Sequence, residues 1–300
     1  YDGRPFIKCE KLHLVEFDYI IITIADRKNS IRICIDLQDK FLIPKEKVVP
    51  FFIYSYKTEI DCKLYQMRNR EFEGIILGNS HARYGIDEKL LPHKFINLAL
   101  SSQDLYCNRK ICEMIVKEKE IVRTLKYAIL DLFDYSYLNI DNSRGRGFFE
   151  YMALGGMIDC HNYERNVCYS GEFKTELFKH AYIDLDLYKT NTNKLFDNVE
   201  SLYSELYMEG WRGKTLGYSL DERNVLTSTI HIKNEDTIVE NKKNLKKIVN
   251  ILKKANPDIK IIFTMLPRCE SMEKIMSRLM PSFWKEELEK EILEICSKVN

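Results

Sequence analysis

Four runs of apolar residues, separated by segments with helical periodicity, dominate the chain from residue 74 onwards. Apolar runs without polar alternation are typical of strands that are buried on both faces of a sheet. We predict strands at residues 74–77, 94–100, 125–132 and 259–266. We predict helices at residues 103–119, 193–208, 236–254 and 281–297. Strands that alternate with helices favour an α/β fold, with a parallel sheet flanked by helices on both faces.

A shorter strand–helix–strand pattern precedes these runs. Residues 17–24 predict a buried strand, residues 29–41 a helix with one apolar face, and residues 48–52 a second strand. Pro50 makes that second strand an edge strand or a strand end. A βαβ unit of this size cannot bury both faces alone, so we expect it to be the last part of a larger domain that begins before Tyr1.

These patterns divide the chain into three parts. They are an N-terminal unit of residues 1–55, a linker of residues 56–72 and a main α/β domain of residues 73–300. Within the main domain, the irregular, aromatic stretch of residues 141–188 predicts an insertion or a lid. Aromatic side chains in this part of the sequence either stack on sugar rings or, more commonly, pack in the core: Tyr135, Tyr137, Phe148, Phe149 and Tyr151.

Composition and charge exclude several classes of protein. The apolar fraction of 45% and the charged fraction of 30% are those of an ordinary globular protein. The 46 basic and 45 acidic residues give a net charge of +1, which does not indicate a nucleic-acid partner. No apolar run reaches the roughly 18 residues that a membrane span requires. We therefore expect neither nucleic-acid binding nor a membrane span.

Nine cysteines are scattered along the sequence, and no pair has the C-x-x-C spacing of a zinc or redox site. Cys160, His161 and Cys168 form a local cluster, but their spacing does not match a zinc site either. We therefore expect reduced, mostly buried thiols in a cytoplasmic protein, with no metal or other cofactor.

Ser80 is the candidate catalytic residue. The apolar run that ends at Leu77 is followed by the turn-prone residues Gly78, Asn79 and Ser80. A serine at the carboxyl end of a strand lies where open α/β sheets carry their binding and catalytic groups. There its hydroxyl can attack an acyl carbon whose oxyanion is stabilised by backbone N–H groups. The alternative is an ordinary turn in which Ser80 caps the next segment.

The turn Gly78-Asn79-Ser80-His81 resembles the nucleophile block of the SGNH (GDSL-like) hydrolases. It is most similar to the branch related to alanyl transfer proteins of teichoic acid synthesis and acetylation proteins of bacterial exopolysaccharides. The resemblance extends to residues 83–87, 95–105 and 131–133 and covers roughly residues 70–300. It implies a flavodoxin-like, three-layer α/β domain. Residues 1–55 are similar to the second half of a Rossmann-like, sugar-nucleotide-binding domain.

The resemblance implies roles for particular residues. Ser80 is the nucleophile, and its own N–H belongs to the oxyanion hole. The second family block normally adds a glycine N–H, for which this sequence offers Ser101 or Ser102. The third block normally adds an asparagine, but no Gly-x-Asn-Asp follows Asp131, and we do not assign that role to Asn139. The other candidates for lining the site are Gly78, Asn79, His81, Asn97 and Asp131.

The general base is the part of the family pattern that this sequence lacks. The family draws it from an Asp-x-x-His pair near the C-terminus, and the C-terminal region here contains none. His81 adjoins the nucleophile, but consecutive side chains point in different directions. His161, in the predicted insertion, is a remote candidate. We expect instead that the chain is truncated at Asn300, before the family's last loop, and that this fragment alone is nearly inactive on esters.

Together these observations predict a serine-dependent esterase or O-acyltransferase. Its substrate class is an acyl group, for example acetyl, on a carbohydrate or envelope glycan. A sugar nucleotide is the candidate ligand of the N-terminal unit. The alternative is a non-catalytic binding or scaffolding module of a glycan-biosynthesis pathway, which the missing base and the missing asparagine block favour. An Asp-x-x-His pair downstream of Asn300 would favour the enzyme.

Overall fold

The computed structural model describes residues 7–24, 27–49, 60, 63–64, 66–101, 103–132, 134–141, 233–267 and 270–299. Several of the expectations above fall outside these residues. They are the predicted helix at 193–208, nearly all of the predicted insertion, and the candidate residues Ser102 and His161.

The N-terminal region contains the predicted βαβ unit. Strand β1 (Ile20–Ile21) and strand β2 (Val48–Val49) flank helix α1 (Arg27–Asp39). The two strands pair in parallel, Ile20 with Val48 and Ile21 with Val49. The prediction of a strand over residues 17–24 is too long, because the ladder between the strands joins only these two residue pairs.

The main sheet has four parallel strands in the order β4-β3-β5-β6. They are β3 (Gly74–Leu77), β4 (Phe95–Asn97), β5 (Tyr127–Asp131) and β6 (Lys260–Thr264). All four coincide with predicted strands, although the last three are shorter than predicted. Strand β3 is buried along its whole length and pairs with strands on both sides, which explains its uninterrupted apolar run. The predicted α/β fold with a parallel sheet is therefore confirmed.

Six helices follow strand β3 within the described residues. They are α2 (Ser80–Gly85), α3 (Leu105–Ile115), α4 (Lys119–Thr124), α5 (Glu235–Ala255), α6 (Glu270–Leu279) and α7 (Ser282–Val299). Helices α5 and α7 lie close to their predicted positions. Helices α2, α4 and α6 were not predicted.

The helix predicted at 103–119 is wrong at both ends. Asp104 caps the helix, and its Oδ1 accepts a hydrogen bond from Cys107 N at 3.0 Å, so α3 begins only at Leu105. The helix ends at Ile115, and the chain turns before α4 begins at Lys119. The predicted range therefore covers α3 and only the first residue of α4.

Helices α3 and α5 pack against each other, and both contribute to one hydrophobic core that includes the sheet. A short 3-10 helix (Tyr135–Asn139) follows β5 and contacts α5 and α7. Asn241 of α5 holds it in place, because its Nδ2 donates to Leu138 O at 2.9 Å and to Ile140 O at 2.8 Å. The loop after β5 is thus anchored to the helical layer.

The described cysteines agree in part with the expectation of buried thiols. Cys34, Cys107 and Cys112 are buried, whereas Cys9 and Cys296 are exposed. Burial, the largest cause, raises the pKa of the Cys112 thiol, and this keeps it protonated and unreactive.

Candidate functional site

Ser80 lies at the carboxyl end of the central part of the sheet. Strand β3 ends at Leu77, Asn79 is the N-cap of α2, and Ser80 is the first residue of that helix. The Asn79 side chain accepts a hydrogen bond from His81 N at 2.9 Å. The capping function that an ordinary turn would give to Ser80 therefore belongs to Asn79, and the half-buried Ser80 hydroxyl is not used as the cap.

The turn before Ser80 requires glycine at position 78. Gly78 has a φ of +149°, a conformation that residues with a side chain rarely adopt. A Cβ at this position would come within 2.8 Å of the Ala82 Cβ and 2.9 Å of the Asp131 Cβ. Gly78 thus lets α2 and the end of β5 approach the chain closely at the site.

A network of buried amides lies beneath the turn. Gly78 N donates to Asn108 Oδ1 at 3.0 Å, and Gln103 Nε2 donates to the same oxygen at 2.5 Å. Gln103 Oε1 accepts from Leu100 N at 2.7 Å. The Asn108 Nδ2 group donates to Asp104 O at 2.9 Å and to the Tyr137 hydroxyl at 3.0 Å. Fully buried Asn108 is therefore bonded to residues that follow three different strands.

Asn97, at the end of β4, bonds to the backbone of α2 and to the loop that follows β4. Its Nδ2 donates to Ala82 O at 2.9 Å, and its Oδ1 accepts from Ala99 N at 3.0 Å. The side chain is buried. Asn97 therefore lies at the predicted site, and both ends of its amide are bonded to the backbone around it.

Ser101 reaches the same side of α2 as the candidate nucleophile. Its Oγ lies 3.5 Å from the hydroxyl of Tyr84. Tyr84 follows Ser80 by four residues in α2, and residues at this spacing share one face of a helix. The structure thus brings the loop after β4 towards the face of α2 that carries Ser80.

Asp131 ends strand β5 and is fully buried. Its Oδ1 accepts a hydrogen bond from Leu266 N at 3.3 Å, which ties the end of β5 to the loop after β6. The predicted site residues Gly78, Asn79, Ser80, Asn97, Ser101 and Asp131 therefore do meet at one edge of the sheet. Asn139 bonds elsewhere, since its Oδ1 accepts from Asn234 N at 2.8 Å.

Tyr137 is a core residue, so it does not present a ring for stacking on a sugar. Its side chain is fully buried, and its hydroxyl donates to Gln103 O at 3.0 Å. Burial and then the nearby charge of Asp104 raise the pKa of Tyr137 well above its ordinary value, so the hydroxyl remains a donor. The alternative of core packing is the correct one at this position.

The described histidines differ in their relation to Ser80. His81 is the next residue in α2 and is half-buried. His93 lies just before β4, and its Nδ1 is 3.2 Å from Glu73 Oε2, at the amino end of the strands. Among the described residues, no histidine side chain forms a hydrogen bond with the Ser80 hydroxyl.

Neither a metal centre nor a membrane helix is found in the described part of the chain. Within those residues, no group of three or more His, Cys, Asp or Glu side chains is placed to bind a metal ion. None of the described helices is long and apolar enough to traverse a bilayer.

The amides of Gln103 and Asn108 were not among the residues predicted to form the site. A signal was present, because Asn108 lies three residues before Ile111 and four before Cys112, on the apolar face of α3. A polar side chain at such a position is buried and needs hydrogen-bond partners.

Comparisons with protein-family models, curated proteins and solved structures found no match to this chain.

Proposed function

We propose that this protein is a serine-dependent esterase or O-acyltransferase with Ser80 as its nucleophile. One observation carries the proposal. Ser80 is a half-buried serine at the carboxyl end of a buried parallel strand, on a turn fixed by Gly78, and Asn79 takes over the capping role. Because Asn79 supplies the cap, the Ser80 hydroxyl is not needed for that role and can serve as a nucleophile.

In the proposed reaction, the Ser80 Oγ forms a bond to the acyl carbon, and its proton passes to a general base. The carbonyl oxygen becomes an oxyanion, for which the N–H groups of Ser80 and Ser101 are the proposed donors. The bond between the acyl carbon and the leaving alkoxide then breaks, and the alkoxide takes the proton from the base. Water or an acceptor hydroxyl next attacks the acyl carbon and gives its proton to the base. The bond from the acyl carbon to Ser80 Oγ breaks, and Ser80 Oγ takes that proton from the base.

The proposed substrate class is an acyl ester on a carbohydrate or envelope glycan. It is supported by the resemblance of the Gly78-Asn79-Ser80-His81 turn to SGNH hydrolases of glycan modification. The same resemblance supports a three-layer, flavodoxin-like arrangement for the main domain. The proposal also includes a Rossmann-like origin for the N-terminal βαβ unit, with a sugar nucleotide as its ligand.

The test is ester turnover by the full-length protein with Ser80→Ala. Removing a catalytic nucleophile is expected to lower kcat by about 10³-fold or more on an aryl acetate and on an acetylated glycan. Ser101→Ala is the matched control, because it removes a hydroxyl nearby and keeps the backbone N–H. It should stay within about threefold of the unsubstituted protein. Unchanged turnover in Ser80→Ala would contradict the proposal.

The same assay identifies the base. His81→Gln and His161→Gln are compared across pH, because loss of the base removes the acidic limb of the kcat profile. If neither variant changes the profile, neither histidine is the base.

A non-catalytic binding module is the second candidate function. Asn97 favours this candidate, because its Nδ2 and Oδ1 both bond to the backbone. These bonds explain the order of the site without any catalytic role for Asn97. In that case the protein binds an acetylated glycan with equal affinity before and after Ser80→Ala, and no product forms.

A further inference from the structure

Two of the loops that meet at the buried amide network carry the proposed oxyanion donors. The first is the turn of Gly78 and Ser80, whose Gly78 N–H is held by Asn108. The second is the loop from Leu100 to Ser101, whose Leu100 N–H is held by Gln103. Because Gln103 also bonds to Asn108, one pair of side-chain amides connects both loops.

The Asn108 amide is fixed by hydrogen bonds at both its oxygen and its nitrogen. The Asn108 oxygen accepts from Gly78 N and Gln103 Nε2, and both N–H groups of its amide have acceptors. Asn108 is 0% exposed and Gln103 is 1% exposed, so water does not replace any of these bonds. An unpaired polar group at such a position is costly, and the amides therefore have one favoured arrangement.

The network is also electrically neutral where it touches the two loops. Gly78, Leu100, Gln103 and Asn108 contribute backbone or amide groups, and the Tyr137 hydroxyl stays protonated because burial raises its pKa. The hydrogen bonds that hold the two loops to this pair therefore involve no charged group.

We propose that Asn108 is a positioning residue that, through Gln103, sets the distance between the Ser80 turn and the Leu100–Ser101 loop. This inference rests on the proposed function, because these loops hold the two proposed oxyanion donors. Asn108 itself lies below the turn and acts through the Gly78 N–H. Its loss should slow the chemical step, because oxyanion donors are effective only at well-defined distances.

The test compares Asn108→Leu with Asn256→Leu. Both remove an asparagine amide that bonds to the backbone, but Asn256 is half-buried and lies at the amino edge of the sheet, where its Nδ2 donates to Leu125 O at 2.7 Å and its Oδ1 accepts from Asp258 N at 3.0 Å. Two quantities are measured in the full-length protein. They are the rate of fluorophosphonate labelling at Ser80 and the hydrogen-exchange protection of the Gly78 amide by NMR.

We expect Asn108→Leu to slow labelling by about 10- to 100-fold and to expose the Gly78 amide to exchange. Asn256→Leu should lower stability and keep both quantities within about threefold, because its hydrogen bonds lie at the opposite edge of the sheet. Equal labelling rates in the two variants would overturn the inference. If Ser80 is not labelled in the unsubstituted protein, the proposed function fails. Gly78 exchange then decides the inference alone, and equal protection in both variants overturns it.

A second variant covers the case in which Asn108→Leu does not fold. Asn108→Asp keeps an acceptor for Gly78 N–H and loses the donors to Asp104 O and Tyr137. It should therefore be destabilised and still protect the Gly78 amide. Rapid exchange of that amide in a folded Asn108→Asp protein would contradict the role assigned to the Asn108 oxygen.

Discussion

The two ends of the same strands are built from different chemistry. At the carboxyl edge, β3, β4 and β5 lead into buried amides and a glycine turn around Ser80. At the amino edge, Glu73 Oε1 bonds to Lys126 Nζ at 2.7 Å, and Glu73 Oε2 lies 3.2 Å from His93. The His93 ring stacks on Tyr127 with centroids 4.5 Å apart.

The difference lies in exposure as well as in charge. The side chains of Lys126 and Glu73 are 64% and 33% exposed, whereas Asn108 is completely buried. Exposed ion pairs tolerate rearrangement and contribute little to stability, but buried amides fix one geometry. The ion pair at the amino edge can therefore rearrange, whereas the buried amides beneath Ser80 hold one geometry.

Of the substitutions that distinguish the two edges, Gly78→Ala is expected to have the largest effect on stability and on Ser80 labelling. The new Cβ would meet backbone-anchored atoms of Ala82 and Asp131 at 2.8 and 2.9 Å, and the φ of +149° is strained for alanine. We expect a loss of about 2–4 kcal/mol in unfolding free energy, together with loss of Ser80 labelling. Denaturant unfolding and fluorophosphonate labelling measure the two effects.

Gly85→Ala is the matched control for this prediction. Among the described residues, its Cβ would meet the end of the Leu266 side chain, at 2.9 Å, and that side chain can move. The stability change should stay within about 1 kcal/mol. If Gly85→Ala and Gly78→Ala behave alike, the turn at Gly78 is not specially constrained.

A smaller effect is expected from Asn97→Leu. The substitution leaves Ala82 O and Ala99 N without their buried partner, which costs about 1–3 kcal/mol. Because Ala82 O belongs to α2, Ser80 labelling should also slow, by less than in Asn108→Leu. Thermal unfolding and the labelling rate check this order, and a labelling rate equal to that of the unsubstituted protein would show that Asn97 does not hold the helix in place.

The smallest effect is expected at the amino edge, from Glu73→Gln. The hydrogen bond from Lys126 is the main cause of the lowered pKa of Glu73, and the same bond is the main cause of the raised pKa of Lys126. The stabilisation from Glu73 is present above the ordinary carboxyl pKa of 4.5 and is lost as the pH falls through the lowered pKa. The contribution of Lys126 is lost only as the pH rises through its raised pKa, above 10.5.

Unfolding curves at several pH values measure this effect. The unsubstituted protein should be slightly more stable than Glu73→Gln near neutral pH, and the difference should vanish in acid. About 1 M salt should reduce it as well, because the pair is exposed. Ser80 labelling should change by less than about twofold, since the pair lies at the opposite edge. A difference in stability that grows in acid would contradict the assigned ion pair.

The sequence predicted the sheet better than the site, for a physical reason. Strands β3, β4 and β5 are buried along nearly their whole length, and β6, at the edge of the described sheet, is partly exposed. All four carry apolar runs that are visible without knowledge of any partner. The end of α3 at Ile115 was placed four residues too late, and α4 was not predicted, because a helix of only six residues carries little periodicity. The length of β1 was overestimated because its apolar run continues beyond Ile20 and Ile21, the two residues that pair with β2. The extent of pairing depends on the partner strand, which the apolar run alone does not show.

At the site, the turn was predictable and its support was not. Gly78, Asn79 and Ser80 are adjacent in sequence, and their order alone indicates a turn after a strand. The contact between Gly78 and Asn108 joins residues thirty positions apart, and that between Asn108 and Tyr137 spans a similar distance. Such pairs have no local pattern, although the polar Asn108 on an apolar helix face shows that some buried partner must exist.

The most direct test of the proposed chemistry is the location of a fluorophosphonate adduct. The full-length protein is labelled, digested and analysed by peptide mass spectrometry, with Ser80→Ala as the control. The account predicts one major adduct, on Ser80, that is absent from Ser80→Ala and from denatured protein. An unlabelled Ser80 in the folded full-length protein, or equal labelling of Ser80 and Ser101, would contradict an activated nucleophile at the end of β3.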